Sequence, residues 1–244
     1  MPCKVVMDTG TGDKRRLLDI NDIALEIGQD MCSAMLGLHA FTGCDSTSSF
    51  MKKGKLRPIK IMKSDQRFME AFQRLGTAAE ITNGDIEIFE MFVIKLYGGK
   101  KRDTDLDSFR YSRFMVKFTP SDELISCDVG IDLALLPPCK MSLHMHAKRA
   151  NYQARLWRLA HENIPDVPGP VGRGWAKTPD NKMVCQWFQG DCMPQDLIDL
   201  LDDNATVLDN NDDDFSDYDG EDDDDDNCDT DTEDDDEDDD EQYV

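Results

Sequence analysis

The sequence predicts an α/β chain that is mostly helical and ends in a disordered acidic tail. Three observations indicate this: apolar runs with helical spacing, short polar segments typical of turns between strands, and an acidic C-terminus. Among 244 residues, 51 acidic and 27 basic side chains give a net charge of −24. Residues 209–244 hold 23 of these acids and no Lys or Arg, so residues 1–208 have a net charge of only −1. The chain is therefore a nearly neutral body with a polyanionic tail.

The composition of the body excludes several classes of protein. It is long enough for one sizeable hydrophobic core. No apolar run approaches the ~20 residues that cross a bilayer, and the N-terminus lacks the pattern of a signal peptide. We therefore expect an intracellular protein, nuclear or cytoplasmic, with no membrane partner. The eight cysteines include no C-x-x-C pair, so we expect reduced thiols rather than disulfides.

The first half of the chain predicts helices after a short turn. Residues 9–13 read as a turn between two strands or between a strand and a helix, and Asn21 is placed to cap the helix that follows. The almost wholly apolar run from Met31 to Phe41 predicts a core helix. Helical stripes then continue to Gly76 and from Ile86 to Tyr97.

The second half predicts a mixture of elements. Residues 111–118 have a pattern typical of a strand, and Ser142 is placed to cap a long helix that ends near Asn163. After a Pro-rich linker, a turn at 178–181 between apolar segments predicts a β-hairpin. A short helix is expected at 194–201.

These elements predict four regions. They are a region at 1–100, a mainly helical region at 101–164, a linker with hairpin and short helix at 165–203, and the tail at 204–244.

The segment with the most information begins at Leu38 and reads LHAFTGCDSTSSF, followed by Lys53-Gly54-Lys55. It resembles the HAFTGCDTTSAF…GKGK signature of a family of animal proteins derived from mobile elements. The resemblance covers about residues 8–200, because further blocks follow in the same order. These blocks are Leu136–Lys140, His146–Trp157 and Pro165–Trp175.

That family in turn resembles the flap-endonuclease branch of the PIN-like nucleases. The resemblance implies that residues 1–100 are the C-terminal portion of such a domain, with Asp45 as a remnant of its metal-binding carboxylates. It also implies a helix-hairpin-helix that contacts the nucleic-acid backbone without reading sequence. The residues implied in this contact are Lys52, Lys53, Gly54, Lys55, Arg57, Lys60 and Lys63.

Two departures from the pattern argue against catalysis. Several carboxylates are needed to hold two metal ions, and no apolar strand ending in Asp-x-Asp precedes Gly43. We therefore expect the chain to begin midway through the nuclease domain, with no activity and no cofactor of its own. A metal-dependent nuclease with Mg²⁺ is expected only if a partner or an upstream segment supplies the missing acids. Lys52 also replaces the first glycine of the hairpin, which puts the phosphate-binding turn in doubt.

Several of these residues have a second, structural interpretation. Asp45 can serve to bind nearby backbone N–H groups. The segment 52–67, with a local net charge of +6, suits either a solvated helix face or contact with phosphates. Cys139, His144 and His146 have a loose zinc-like spacing, but surface or core positions are favoured for them. The three tryptophans are expected to pack rather than to stack on bases.

The acidic tail is expected to be disordered because it has few apolar side chains. Its charge suits two roles: competition with nucleic acid for the basic segment, or binding of basic proteins such as histones through residues 209–244. An interaction protein of this second kind is the alternative to a nucleic-acid-binding protein.

Overall fold

The computed structural model of the chain describes residues 3–117 and 132–190, which lie in one compact unit, residues 1–192. The helix expected at 194–201 and the tail at 204–244 lie outside these residues. The described part is mostly helical, as the sequence predicts, and none of its helices is both long and apolar enough to cross a membrane. The similarity to a PIN-like domain stays a prediction.

The N-terminal segment is a β-hairpin followed by a helix. Strands β1 (Val6–Thr9) and β2 (Arg16–Asp19) are antiparallel, with Val6 opposite Asp19, so the predicted turn joins two strands. Helix α1 (Ile20–Ile27) follows directly.

The cap of α1 differs from the one expected. The Asp19 carboxylate accepts hydrogen bonds from the N–H groups of Asn21 and Asp22, so Asp19 is the N-cap. Asn21 instead holds the segment before β1, because its side chain accepts from the Val5 N–H at 2.7 Å and donates to the Cys3 carbonyl at 3.2 Å.

The remaining elements of the described chain are six helices and a second hairpin. The helices are α2 (Gln29–Phe41), α3 (Leu56–Lys63), α4 (Gln66–Arg74), α5 (Asn83–Leu96), α6 (Leu106–Lys117) and α7 (Lys140–Arg158). Strands β3 (Trp175–Lys177) and β4 (Met183–Cys185) pair antiparallel and confirm the predicted β-hairpin.

Two predicted elements need correction. Residues 111–117 belong to α6 and are not a strand: Leu106 and Phe109 are buried three residues apart while Tyr111 is exposed, which is a helical period. Helix α7 begins at Lys140 after Cys139, three residues before the expected start, and ends at Arg158.

Helix α2 is the centre of the core and packs mainly against α4 and α7. A Cβ atom at Gly37 would overlap the carbonyl oxygen of Phe72 in α4, so glycine permits this close approach. Phe41, at the end of α2, is fully buried among aromatic rings. Its ring neighbours are Phe50, Phe72, Phe89, Phe92 and His146, with centroids 4.7–6.1 Å away. The core therefore joins residues from both sides of position 100.

Replacement of Phe41 by Ala is expected to lower the free energy of unfolding by about 3–5 kcal/mol, because it leaves a cavity among five rings. Urea unfolding followed by circular dichroism measures this change. Leu25→Ala is the control, since Leu25 is 80 % exposed, and its effect should stay within about 0.5 kcal/mol. Equal effects of the two variants would contradict the central position of Phe41.

Candidate nucleic-acid interface

The carboxyl end of α2 lies inside the core, and each of its last four carbonyl groups has a hydrogen-bond partner. Such carbonyls have no partner within the helix itself. Those of Leu38 and Ala40 accept from the hydroxyl groups of Thr42 and Thr47, both at 2.7 Å. The Phe41 carbonyl accepts from Nε2 of His146 at 2.7 Å. The fourth, that of His39, accepts from Lys55 at 3.3 Å.

Lys55 is committed to this helix end. Its ammonium group donates to the carbonyl oxygens of His39 and Gly43 and to the Thr42 hydroxyl, at 2.8 Å for the last. An ammonium group has three hydrogens, and these three acceptors account for all of them. Burial lowers the pKa of Lys55 from its ordinary value. Of the residues expected to contact nucleic acid, Lys55 thus has an internal structural role.

The loop after α2 places Asp45 at the tip of a tight turn. Cys44 and Thr47 exchange backbone hydrogen bonds of 3.2 and 3.3 Å, which leaves Asp45 and Ser46 at the turn. Asp45 is exposed, and within the described residues its carboxylate accepts no hydrogen bond. The structure therefore does not support the interpretation that Asp45 binds backbone N–H groups.

Gly43 is required at the start of this turn. Its φ is +104°, and a Cβ there would overlap Ser49. The Ser46 hydroxyl fastens the turn to α7 through a 2.6 Å hydrogen bond to Oε1 of Gln153.

The described residues do not bring metal ligands together. Residues 3–117 and 132–190 contain no group of three or more His, Cys, Asp or Glu side chains placed to hold a metal ion. Cys139, His144 and His146, with their zinc-like spacing, turn to separate partners: Ser142, Glu90 and the Phe41 carbonyl. The core interpretation of His146 is confirmed, because it is buried among Phe rings.

The turn that enters α3 keeps a conformation typical of glycine. Lys52 has φ +57° and Gly54 has φ +53°, both in the left-handed region. For Lys52 this conformation costs about 1 kcal/mol. Lys52 therefore occupies the left-handed turn in the place where the resembling family has a glycine.

Three cations converge where this turn meets α5 and α6. The Nη2 atoms of Arg113 and Arg57 lie 3.1 and 3.8 Å from the position that a Cβ would take at Gly98. Nζ of Lys53 lies 4.5 Å from the centre of the Tyr97 ring. Burial lowers the pKa of Lys53, and the charges of Arg57 and Arg113 lower it further. We call Lys53, Arg57 and Arg113 the basic cluster.

No carboxylate of the described residues forms an ion pair with the basic cluster, nor with the exposed Lys52, Lys60 and Lys63 beside it. Arg67, at the end of the basic segment, differs because it pairs with Asp65 at 2.8 Å. The structure thus brings Lys52, Lys53 and Arg57 to one region with Arg113, and gives Lys55 and Arg67 internal partners.

Sequence reasoning missed Arg113. It lies in the segment expected to be a strand, far along the chain from the basic segment. Its guanidinium reaches the basic cluster because it donates to the carbonyls of Tyr97 and Gly98, at 3.0 and 3.2 Å. Only the packing of α6 on α5 brings it there.

Comparisons of this chain with protein-family models, with curated proteins and with solved structures give no match.

The buried His146 makes stability depend on pH. Its pKa falls from 6.5 to about 4, first because it is buried, and although its bond to the Phe41 carbonyl opposes the shift. The unfolded chain therefore takes up this proton before the folded chain does, and stability falls as the pH drops from about 6.5 to 4. The expected loss is roughly 3 kcal/mol.

Urea unfolding at a series of pH values checks this expectation. His146→Gln keeps an N–H donor but does not titrate, so its stability should fall less than that of the original protein over this range. His161→Gln, at an exposed position, is the control and should keep the original pH dependence. A His146→Gln curve parallel to the original would rule out this role of His146.

Proposed function

We propose that this chain binds nucleic acid without sequence preference, through the outward face of α3 and the basic cluster. The convergence of Lys53, Arg57 and Arg113 without an ion-pairing carboxylate is the observation that carries this proposal. Like charges held together repel one another, and an anion between them relieves the repulsion. Phosphate groups are the anions that a nucleic-acid backbone presents in a row.

The exposed lysines of the basic segment extend this charge along the surface. Lys60 and Lys63 lie on α3, and Lys52 precedes it in the turn. Contacts of these side chains with phosphates release counterions, so the affinity should fall steeply with salt. Such contacts position a backbone and carry no information about base sequence.

The resemblance to mobile-element-derived proteins and to PIN-like nucleases supports the same proposal, since it implies backbone contact at residues 52–63. We propose that the chain derives from such an element and has no catalytic step of its own. In the described part, Asp45 is exposed on a turn outside any group of metal ligands.

Loss of three cations from α3 is expected to weaken binding. The variant R57Q/K60Q/K63Q should bind a fluorescent duplex DNA at least about tenfold more weakly at 50 mM salt, and its plot of log K against log salt should be less steep by about two. Fluorescence anisotropy over a range of salt concentrations measures both quantities.

The matched control removes three exposed cations elsewhere, as K14Q/K177Q/K182Q. Both variants change the net charge by the same amount, so a difference between them reports the location of the surface. Equal weakening by the two variants would reduce the effect to net charge and would overturn the assignment to α3.

Deletion of residues 209–244 is expected to strengthen DNA binding. It removes 23 acids and leaves a body with a net charge of −1, so the repulsion between chain and DNA is smaller. The gain should be large at low salt and should shrink when the screening length falls below about 10 Å, above 0.1 M salt. Unchanged affinity of the shortened chain at low salt would contradict this electrostatic role of the tail.

A further inference from the structure

A cavity of about 450 Å³ opens beside α7, on the side of the molecule where α5 ends. Its walls are mainly apolar and include the aromatic side chains of Phe50, Tyr97 and Trp187. Volumes of this size accommodate small organic ligands, and such sites combine apolar walls with a few polar groups. Its charged lining residues are Arg110 and Arg149, and no carboxylate lines it among the described residues.

Arg149 is a buried charge with no anion to balance it. Its residue is 3 % exposed. Nη1 donates to the carbonyl oxygens of Gly174 and Gln186, at 3.2 and 2.7 Å, and the guanidinium lies 4.8 Å from the Trp187 ring centre. Burial lowers the pKa of Arg149, although the group remains charged. A buried charge without an opposite charge is costly unless it finds a partner.

Arg110 supplies a second cation at the same cavity. It is half-buried, and its Nη1 atom donates to the Pro137 carbonyl. It lies close enough to Tyr97 to influence its ionisation: burial raises the pKa of Tyr97 and the charge of Arg110 opposes the rise. A guanidinium group has five N–H donors in a planar fork, so a bond to one carbonyl leaves others for an anion.

His146 also lines this cavity but adds no positive charge near neutral pH. It donates its Nε2–H to the Phe41 carbonyl and is buried among rings. The positive charge of the lining therefore comes from the two arginines, which do not titrate in this range.

We infer that this cavity binds a small aromatic anion, whose ring packs among Phe50, Tyr97 and Trp187 and whose carboxylate or phosphate group pairs with Arg110 and Arg149. Guanidinium groups form paired hydrogen bonds with both kinds of anion. The site is separate from the basic cluster, because it does not depend on the lysines of α3. Its existence therefore does not rest on the proposed nucleic-acid binding.

The experiment compares each anion with a neutral molecule of matched shape, using the full chain and ligand-observed NMR titrations. The pairs are 2-naphthoate with 2-naphthamide, and adenosine monophosphate with adenosine; inorganic phosphate tests the charge alone. At least one aromatic anion should bind about tenfold more tightly than its neutral match, a difference of about 1.4 kcal/mol. Tighter binding of naphthoate identifies a carboxylate ligand, and tighter binding of adenosine monophosphate identifies a phosphate ligand.

Two variants locate the site, with one control. Arg110→Gln should weaken the aromatic anion about tenfold and leave its neutral match unchanged, which also shows that the cavity is intact. Trp187→Ala, at a side chain that is 60 % exposed, should weaken both molecules of a pair. Arg102→Gln removes a side chain that is 82 % exposed and away from the cavity lining, so it should change neither.

Three results would overturn the inference. They are equal affinity of anion and neutral match, unchanged anion binding by Arg110→Gln, and no binding of either aromatic anion up to about 5 mM, the weak end of specific affinities.

Discussion

The end of helix α2 inside the core is the constraint on which the rest of the structure depends. A buried carbonyl without a partner costs about 1–3 kcal/mol, and four such groups meet here. The donors come from three separate places: the threonines of the following loop, Lys55 before α3, and His146 on α7. The path of the loop, the start of α3 and the position of α7 are therefore set by one helix end.

This constraint changes the meaning of the segment that resembles the mobile-element signature. Many of its residues serve the junction: His39 stacks on Trp157 with ring centres 5.5 Å apart, Phe41 fills the core, and Gly43 permits the turn. The Asp45 carboxylate, exposed at the tip of the turn, takes no part in these contacts. The segment therefore explains the fold more directly than it explains chemistry.

Much of the fold could be predicted because local patterns agree with the final packing. The apolar run that forms α2 and the Pro-Asp-Asn turn of the second hairpin each permit one structure. The cap of α1 could not be predicted, since Asp19 and Asn21 both favour that role and the bonds of Asn21 to Cys3 and Val5 decide it. Helix α6 was missed because exposed aromatic and apolar side chains imitate a strand.

The sequence by itself determined that a neutral body carries a polyanionic tail, that the body is mostly helical, and that cations are concentrated between residues 52 and 63. Tertiary structure decided which of these cations stay available. Lys55 is spent on the carbonyls of α2, whereas Arg113 joins Lys53 and Arg57 from a distant helix. The reason is physical: charge is a property of each residue, but its availability depends on the carbonyls and carboxylates that folding places around it.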